Sequence, residues 1–175
     1  MHLETKNARL IIFLNNILKI NYIMKKIVLV FVAVFALGFA ANAQDALGLR
    51  FGGGSSYGAE LSYQKGLGSN RLEFDLGMRL KSESNFFYLA GVYQWKGQIT
   101  DWLGWFAGPG VKVSYCVNHG VGLAVAGQAG LEANFADFPF QFTLDIRPEY
   151  EFILPAGCVN NFGWALALGV RYKLN

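Results

Sequence analysis

The chain has few of the side chains that commonly carry out catalysis or bind metals. Its 175 residues include two cysteines and two histidines, and only His119 lies beyond residue 43. One histidine and two cysteines do not make a credible zinc site. A deacylase or acyltransferase would need a nucleophile and a base within reach of each other, and the nearest candidates to His119 are Ser114 and Glu132. We therefore predict no catalytic, cofactor-binding or metal-binding residues.

The chain also lacks a strong excess of one charge. It has 15 basic and 12 acidic residues and a net charge of +3. Five of the basic residues and one of the acidic residues lie before residue 44, which leaves ten basic and eleven acidic residues, a net charge of −1, in the remainder. Nucleic-acid binding needs a basic patch. We therefore predict no nucleic-acid partner.

No apolar run approaches the roughly 20 residues that a membrane-spanning helix needs. The run at 27–41 follows Lys25 and Lys26 and ends at the small residues Ala41-Asn42-Ala43, which is the pattern of a secretory signal peptide. The sequence thus predicts three parts: an upstream extension from an early start codon at 1–23, a signal peptide at 24–43 and one domain at 44–175.

No stretch of that domain has the 3.6-residue period of a helix. Apolar side chains recur at every second position instead, as in a β-strand. In the last run, Trp164, Leu166 and Leu168 alternate with Gly163, Ala165 and Ala167. Runs of this kind, separated by turn-forming residues, predict eight strands at 47–53, 57–65, 71–80, 86–95, 102–115, 121–133, 140–152 and 162–175.

The volumes of the two strand faces indicate which one lies inside. An eight-stranded barrel has an interior that is just wide enough for side chains to fill. The apolar face carries Trp, Phe, Tyr, Leu and Met, which are too bulky for that interior, whereas the opposite face is rich in Gly, Ala and Ser. We therefore predict an all-β fold: an eight-stranded antiparallel up-and-down transmembrane β-barrel with a filled polar lumen. The alternative is a soluble, lipocalin-like barrel, whose apolar face points inward.

The charged residues fall on the small, inward face with equal numbers of each sign. Buried charges are tolerated when they are paired and hydrogen-bonded, so we expect a network that crosses the lumen and leaves no open pore. Its predicted members are Arg50, Glu60, Arg71, Glu73, Asp75, Arg79, Lys112, Glu132, Asp145, Arg147, Glu149, Glu151, Arg171 and Lys173.

Other features of the strands are less regular. The strand at 86–95 is apolar on both faces, and we favour an outward orientation of Phe87, Leu89, Tyr93 and Trp95. Pro109 and Pro148 each remove a ladder donor, so each predicts a β-bulge or a displaced strand boundary. Aromatic residues predict a girdle at each rim: Trp95, Trp102, Trp105, Phe135, Phe138 and Tyr172 at one, and Tyr57, Tyr88, Tyr115, Phe152 and Trp164 at the other.

With these strands and an MKK start followed by ANAQ, the chain resembles the small outer-membrane β-barrel proteins of Gram-negative bacteria, with a precursor similar to the Bacteroidetes type. The resemblance covers residues 44–175. It implies an outer-membrane location, contact with outer-membrane lipid and a C-terminal signal for the barrel assembly machinery, matched by Gly169, Tyr172 and Leu174. It also implies that the links at 53–56, 81–85, 116–120 and 154–161 face outward and those at 66–70, 96–101 and 134–139 face the periplasm.

The two cysteines lie in different outward links. In an exported chain, a disulfide between Cys116 and Cys158 would tie two loops at one rim. The function we favour is that of a non-enzymatic integral outer-membrane barrel with a structural or envelope-interaction role. The alternatives are a small-molecule or lipid-binding barrel and, third, an envelope-modifying enzyme that depends on His119.

Overall fold

A computed structural model describes residues 45–54, 57–81, 84–116, 120–154 and 161–174. The described chain forms eight strands, whose ends lie close to the predicted boundaries. The strands are β1 Asp45–Gly54, β2 Tyr57–Leu67, β3 Asn70–Lys81, β4 Ser84–Gln98, β5 Leu103–Cys116, β6 Gly120–Asn134, β7 Phe140–Ile153 and β8 Phe162–Leu174. Within these residues, no helix is long and apolar enough to cross a membrane.

The strands close into a barrel. Each pairs antiparallel with its neighbours in sequence, and β1 pairs with β8 from Asp45↔Leu174 to Gly54↔Ala165. Closure removes the two sheet edges whose backbone N–H and C=O groups would otherwise lack partners. The predicted eight-stranded antiparallel up-and-down topology is confirmed.

The two faces of each strand differ as their period of two predicts. Along β7, Thr143, Asp145 and Arg147 are buried, whereas Leu144 and Ile146 are exposed at 46% and 45% of their surface. The charged side chains therefore point into the barrel and the large apolar ones point out. This is the reverse of the lipocalin-like arrangement, because a barrel of that kind holds its apolar side chains inside.

The orientation of β4 is confirmed in part. Phe87, Leu89, Tyr93 and Trp95 lie on the less buried face, as expected. Tyr88 does not belong to the outer girdle: it is 3% exposed and its hydroxyl bonds the buried Glu60. The girdle prediction was wrong for this residue because it was based on residue type, whereas position within the strand decides the face.

The two prolines lie inside strands, without a register shift at either. Pairing between β4 and β5 lapses from Val92↔Gly110 to Trp95↔Ala107, around Pro109. Pairing between β6 and β7 lapses from Ala126↔Glu149 to Ala129↔Ile146, around Pro148. The expectation of a bulge or a displaced boundary at these positions is therefore wrong. The missing N–H groups interrupt the ladder, and the one register shift between β6 and β7 lies elsewhere, at Leu123/Ala124.

One end of the barrel, which we name the turn end, carries the residues at 68–69, 99–102 and 135–139 that join successive strands. The opposite end, the loop end, carries links whose residues at 55–56, 82–83, 117–119 and 155–160 lie outside the described part. Aromatic rings form a band on the outer face near the turn end. Trp102 stacks on Phe135 at 5.9 Å, Phe138 lies 5.2 Å from Phe140, and Phe140 lies 5.5 Å from Tyr172. The predicted outward position of the aromatic residues at this rim is confirmed.

Candidate functional site: the charged interior of the barrel

The inward face of the barrel is a buried set of charged side chains. Alternation along each strand brings residues far apart in sequence into one narrow space. Almost all members of the predicted network are present there. The members that are buried are Arg50, Glu60, Arg71, Glu73, Asp75, Lys112, Glu132, Asp145, Arg147, Glu149 and Arg171; the side chain of Glu151 is 18% exposed, and that of Arg79 lies outside the described part.

Arg50 joins three strands in the middle of the lumen. Its Nη1 donates to both carboxylate oxygens of Glu60 at 2.8 Å. Its Nε lies 3.0 Å from Asp145 Oδ2, and Nη2 also donates to that carboxylate. Two carboxylates therefore neutralise one guanidinium from β1, in the two-pronged geometry that Arg favours.

Arg147 spans the full width of the barrel. It projects from β7, and its Nη2 donates to Asp75 of β3, on the opposite wall of an eight-stranded ring. The same group reaches Glu73 at 3.3 Å, while Nη1 reaches Glu60 at 3.3 Å. Because a cation anchored on one wall bonds carboxylates anchored on the other, the centre of the lumen is occupied by protein.

Arg171 of β8 completes this middle layer. Its Nε donates to Ser62 Oγ and its Nη1 to Thr143 Oγ1, both at 2.9 Å. Its Nη2 lies 3.0 Å from Glu73 Oε2 without making a hydrogen bond, so this contact is an ion pair only. Gly169 leaves the space that this arrangement needs, because a Cβ there would lie 2.3 Å from Thr143 Oγ1 and 2.7 Å from Arg171 Nη1.

A second layer lies toward the turn end. Arg71 stacks over the buried ring of Phe106, with 4.7 Å between Cζ and the ring centroid, and donates to Gln94 and Glu132. Gln141 Nε2 also donates to Glu132, at 3.1 Å. The ring and the amides fill the space around one ion pair, so this layer blocks the lumen as well.

A third layer lies toward the loop end. Lys112 donates to Glu149 and lies 3.1 Å from Glu151. Its ammonium group also lies 5.8 Å from the ring centroid of Tyr88, whose hydroxyl donates to Glu60 of the middle layer. Tyr88 therefore links the loop-end layer to the middle layer, through its ring on one side and its hydroxyl on the other.

Three residues of the interior were missed from the sequence, and one was misplaced. Phe106, Tyr88 and Lys96 lie on inward positions. The two aromatic side chains fill the lumen between charges, which a separation into bulky and small faces does not predict. Lys96 was assigned to a link, but β4 continues through Gln98. Lys173 is not part of the network, because its ammonium group bonds the backbone oxygen of Phe135 at the exposed rim.

The residues considered for catalysis do not come together. Ser114 pairs with Gly122 and Glu132 pairs with Gly104, so the two lie near opposite ends of β5, roughly 33 Å apart at 3.3 Å per residue. No cluster of His, Cys, Asp and Glu suited to a metal ion occurs within the described ranges. His119 and Cys158 fall outside those ranges; Cys116, at the end of β5, is fully buried.

The residues of the predicted assembly signal lie at the turn end of β8. Gly169 faces the lumen, as described above, whereas Tyr172 faces outward with 48% of its surface exposed. Leu174 is the last residue of the strand and pairs with Asp45.

The comparisons with known proteins identify the fold. No family model and no curated protein matches the sequence. Among solved structures, Neisserial surface protein A (NspA) is 14% identical with a TM-score of 0.59, over 74% of this chain and 96% of that one. The N-terminal β-barrel domain of Pseudomonas aeruginosa OprF is 15% identical with a TM-score of 0.58, over 75% and 97%. A de novo designed transmembrane β-barrel is 13% identical with a TM-score of 0.51, over 75% and 96%. These likenesses are likenesses of fold.

Proposed function

We propose that this protein is an integral outer-membrane β-barrel with a non-enzymatic, structural role in the cell envelope and no open pore. The observation that carries the proposal is the inverted distribution of side chains. Large apolar residues such as Val111, Leu168 and Phe162 are exposed at 62%, 61% and 63%, while paired charges fill the interior. Exposing this much apolar surface to water would be unfavourable, whereas lipid tails accept it.

Closure of the backbone ladder and the aromatic band support the same proposal. A membrane-spanning sheet cannot leave open edges of unpaired backbone groups, and closure removes both edges. Rings at the turn end match the interfacial girdles of membrane barrels. The signal-peptide pattern at 24–43 supplies a route of export, and the fold is that of a surface protein from Neisseria and of an N-terminal barrel domain from Pseudomonas.

A non-enzymatic role is supported by the contents of the interior. Each acidic group there bonds an Arg, Lys, Gln or Tyr of the network, and the one serine considered as a nucleophile is about a strand length from its candidate base. Lipid contacts would be made by the outer face. The partner during biogenesis would be the barrel assembly machinery.

Cell fractionation followed by a heat-modifiability gel tests the proposal. We expect the protein in the outer-membrane fraction, extracted only by detergent, with a mobility that changes on boiling because the folded barrel resists the detergent of the gel. Recovery in the soluble periplasm, or equal mobility before and after boiling, would contradict the membrane assignment.

The assembly signal needs a separate test that spares the lumen. Substitution of Gly169 would disturb Arg171 and Thr143 whether or not Gly169 is part of a signal. We therefore choose the double variant Tyr172→Ser/Leu174→Ser. We expect this double variant to lose membrane insertion in cells. The purified variant should still refold normally in detergent. Equal loss in both settings would assign these residues to stability and not to recognition.

A further inference from the structure

A small cavity opens at the turn end, beneath the residues that join β4 to β5. It has a volume of about 240 Å³, and its polar lining residues are Lys96, Gln98, Thr100, Asp101, Glu132 and Asn134. Gly104 leaves part of this space open. A Cβ at Gly104 would lie 3.0 Å from the backbone oxygen of Gly97 and 3.2 Å from Glu132 Cγ.

Lys96 enters this cavity without a counter-ion. It follows Gln94 on the inward face of β4 and pairs across the ladder with Phe106. Glu132 is committed elsewhere, since its Oε2 accepts from Arg71 and Gln141 and its Oε1 accepts from Asn134 at 3.3 Å. Among the described residues Lys96 makes no hydrogen bond and no ion pair, in contrast to Lys112 in the loop-end layer.

A second cation, Arg71, is engaged with Glu132 and does not line the cavity. Arg71 is 2% exposed and its Nη2 makes no hydrogen bond within the described chain. Because Arg71 already offsets the carboxylate of Glu132, the charge of Lys96 is left without a paired carboxylate in the cavity. Asp101 also lines the cavity but is exposed and makes no ion pair there.

We propose that this cavity is an anion-binding site for a carboxylate or phosphate group, with Lys96 as its principal ligand. An ammonium group is a compact point charge with three donors, which suits the oxygens of either group. The amides of Gln98 and Asn134 supply additional donors on the same wall, and Trp102 forms the apolar side. The site depends on the barrel fold alone and is independent of the membrane location proposed above.

Titration of the full-length purified protein with inorganic phosphate, and separately with acetate, tests this site. The protein is held in a non-ionic detergent at constant ionic strength set with sodium chloride, and backbone amide shifts are followed by NMR. We expect saturable shifts confined to 96–104 and 132–134. The variant Lys96→Met should raise the apparent Kd roughly tenfold. This change is equivalent to about 1.4 kcal/mol, as expected for a charge-assisted hydrogen bond.

Lys173→Met is the matched control, because it removes the same charge from the same rim outside the cavity. It should bind within about twofold of the wild type, since exposed charges contribute little. Non-saturable or evenly spread shifts, or equal weakening by both variants, would overturn the proposal. If Lys96→Met fails to fold, Lys96→Gln takes its place. If neither variant folds, wild-type shifts that do not saturate, or that spread evenly over the chain, still overturn the proposal.

The source of the anion is distinguished in a further arm with phosphatidylglycerol added to the micelles. Shifts in the same amides, with displacement of phosphate, assign the site to a lipid headgroup. Shifts with phosphate or acetate alone assign it to a soluble anion at the turn end. Absence of shifts with every probe would overturn the site.

Discussion

At the scale of single residues, Arg147 holds the largest share of the interior together. Its guanidinium contacts Glu60, Glu73 and Asp75 on two strands of the far side. Removing one partner of a buried pair leaves the others charged and uncompensated, which costs more than the pair itself contributes. The stability of the barrel should therefore depend on this residue far more than on any cation at the rim.

We expect Arg147→Met to lower the free energy of unfolding by about 3–5 kcal/mol, because Asp75 loses its paired cation and Glu60 and Glu73 each lose one of two. Reversible urea unfolding of the refolded protein in lipid vesicles, followed by tryptophan fluorescence, measures the change. Lys173→Met serves as control, with an expected change of about 1 kcal/mol or less. Equal effects of the two substitutions would mean that the lumen is hydrated enough to screen the charges.

A further residue-scale prediction concerns the cysteines. Cys116 ends β5 and is buried, at the rim that also carries the link with Cys158. A disulfide between them would close a long loop and keep the denatured chain compact. On a non-reducing denaturing gel we expect the wild type to run faster than Cys158→Ala, and reduction should abolish the difference. Equal mobility without reductant would show that the thiols are not joined.

At the scale of strands, the features that depend on strict alternation of side chains were predicted correctly from the sequence. The faces of β7 and β8 and nearly the whole charged set came from the period of two. Prediction failed where position and residue type disagree. Tyr88 and Phe106 are aromatic yet lie inside, because gaps between charges need volume that Gly and Ala do not supply. Lys96 was missed since the strand continues past the last apolar residue.

The prolines illustrate another limit of the sequence. Pro109 has Gly127 as its partner in β6, and a Cβ on Gly127 would lie 3.8 Å from Pro148 Cγ. Both prolines therefore adjoin one glycine on the outer surface, although they are far apart in the chain. The low strand propensity of proline predicts a broken strand at each position. In the barrel both prolines lie next to Gly127, where the hydrogen-bond ladder is interrupted on either side.

The outward face of β7 provides a test of the membrane at strand scale. Ile146 and Ile153 have nearly equal exposure, 45% and 47%, but the first lies mid-strand and the second at the loop end. We expect Ile146→Arg to lower the free energy of unfolding in lipid vesicles by about 2–4 kcal/mol and Ile153→Arg by about 0–1 kcal/mol, because the cost of a charge falls toward the interface.

Equilibrium refolding into lipid vesicles, compared with refolding in a non-ionic detergent, measures these two costs. Identical effects of the two variants would contradict a bilayer centred on the middle of the strands. A large effect of Ile153→Arg alone would place the bilayer nearer the loop end than the aromatic band indicates.

At the scale of the whole molecule, the layers of the interior predict a barrel that does not conduct. The middle layer joins opposite walls through Arg147 and Asp75, and the layers built on Arg71 with Glu132 and on Lys112 with Glu149 block the lumen on either side. Removing one layer should therefore leave two barriers.

We expect the wild type and the double variant Arg147→Ser/Asp75→Ser, which keeps the net charge, to produce no discrete current steps in planar lipid bilayers. A sixteen-stranded porin, which has an aqueous channel, confirms that the bilayer reports pores. Stable steps with the wild type would show that the network opens under voltage; steps with the double variant alone would assign the seal to the middle layer.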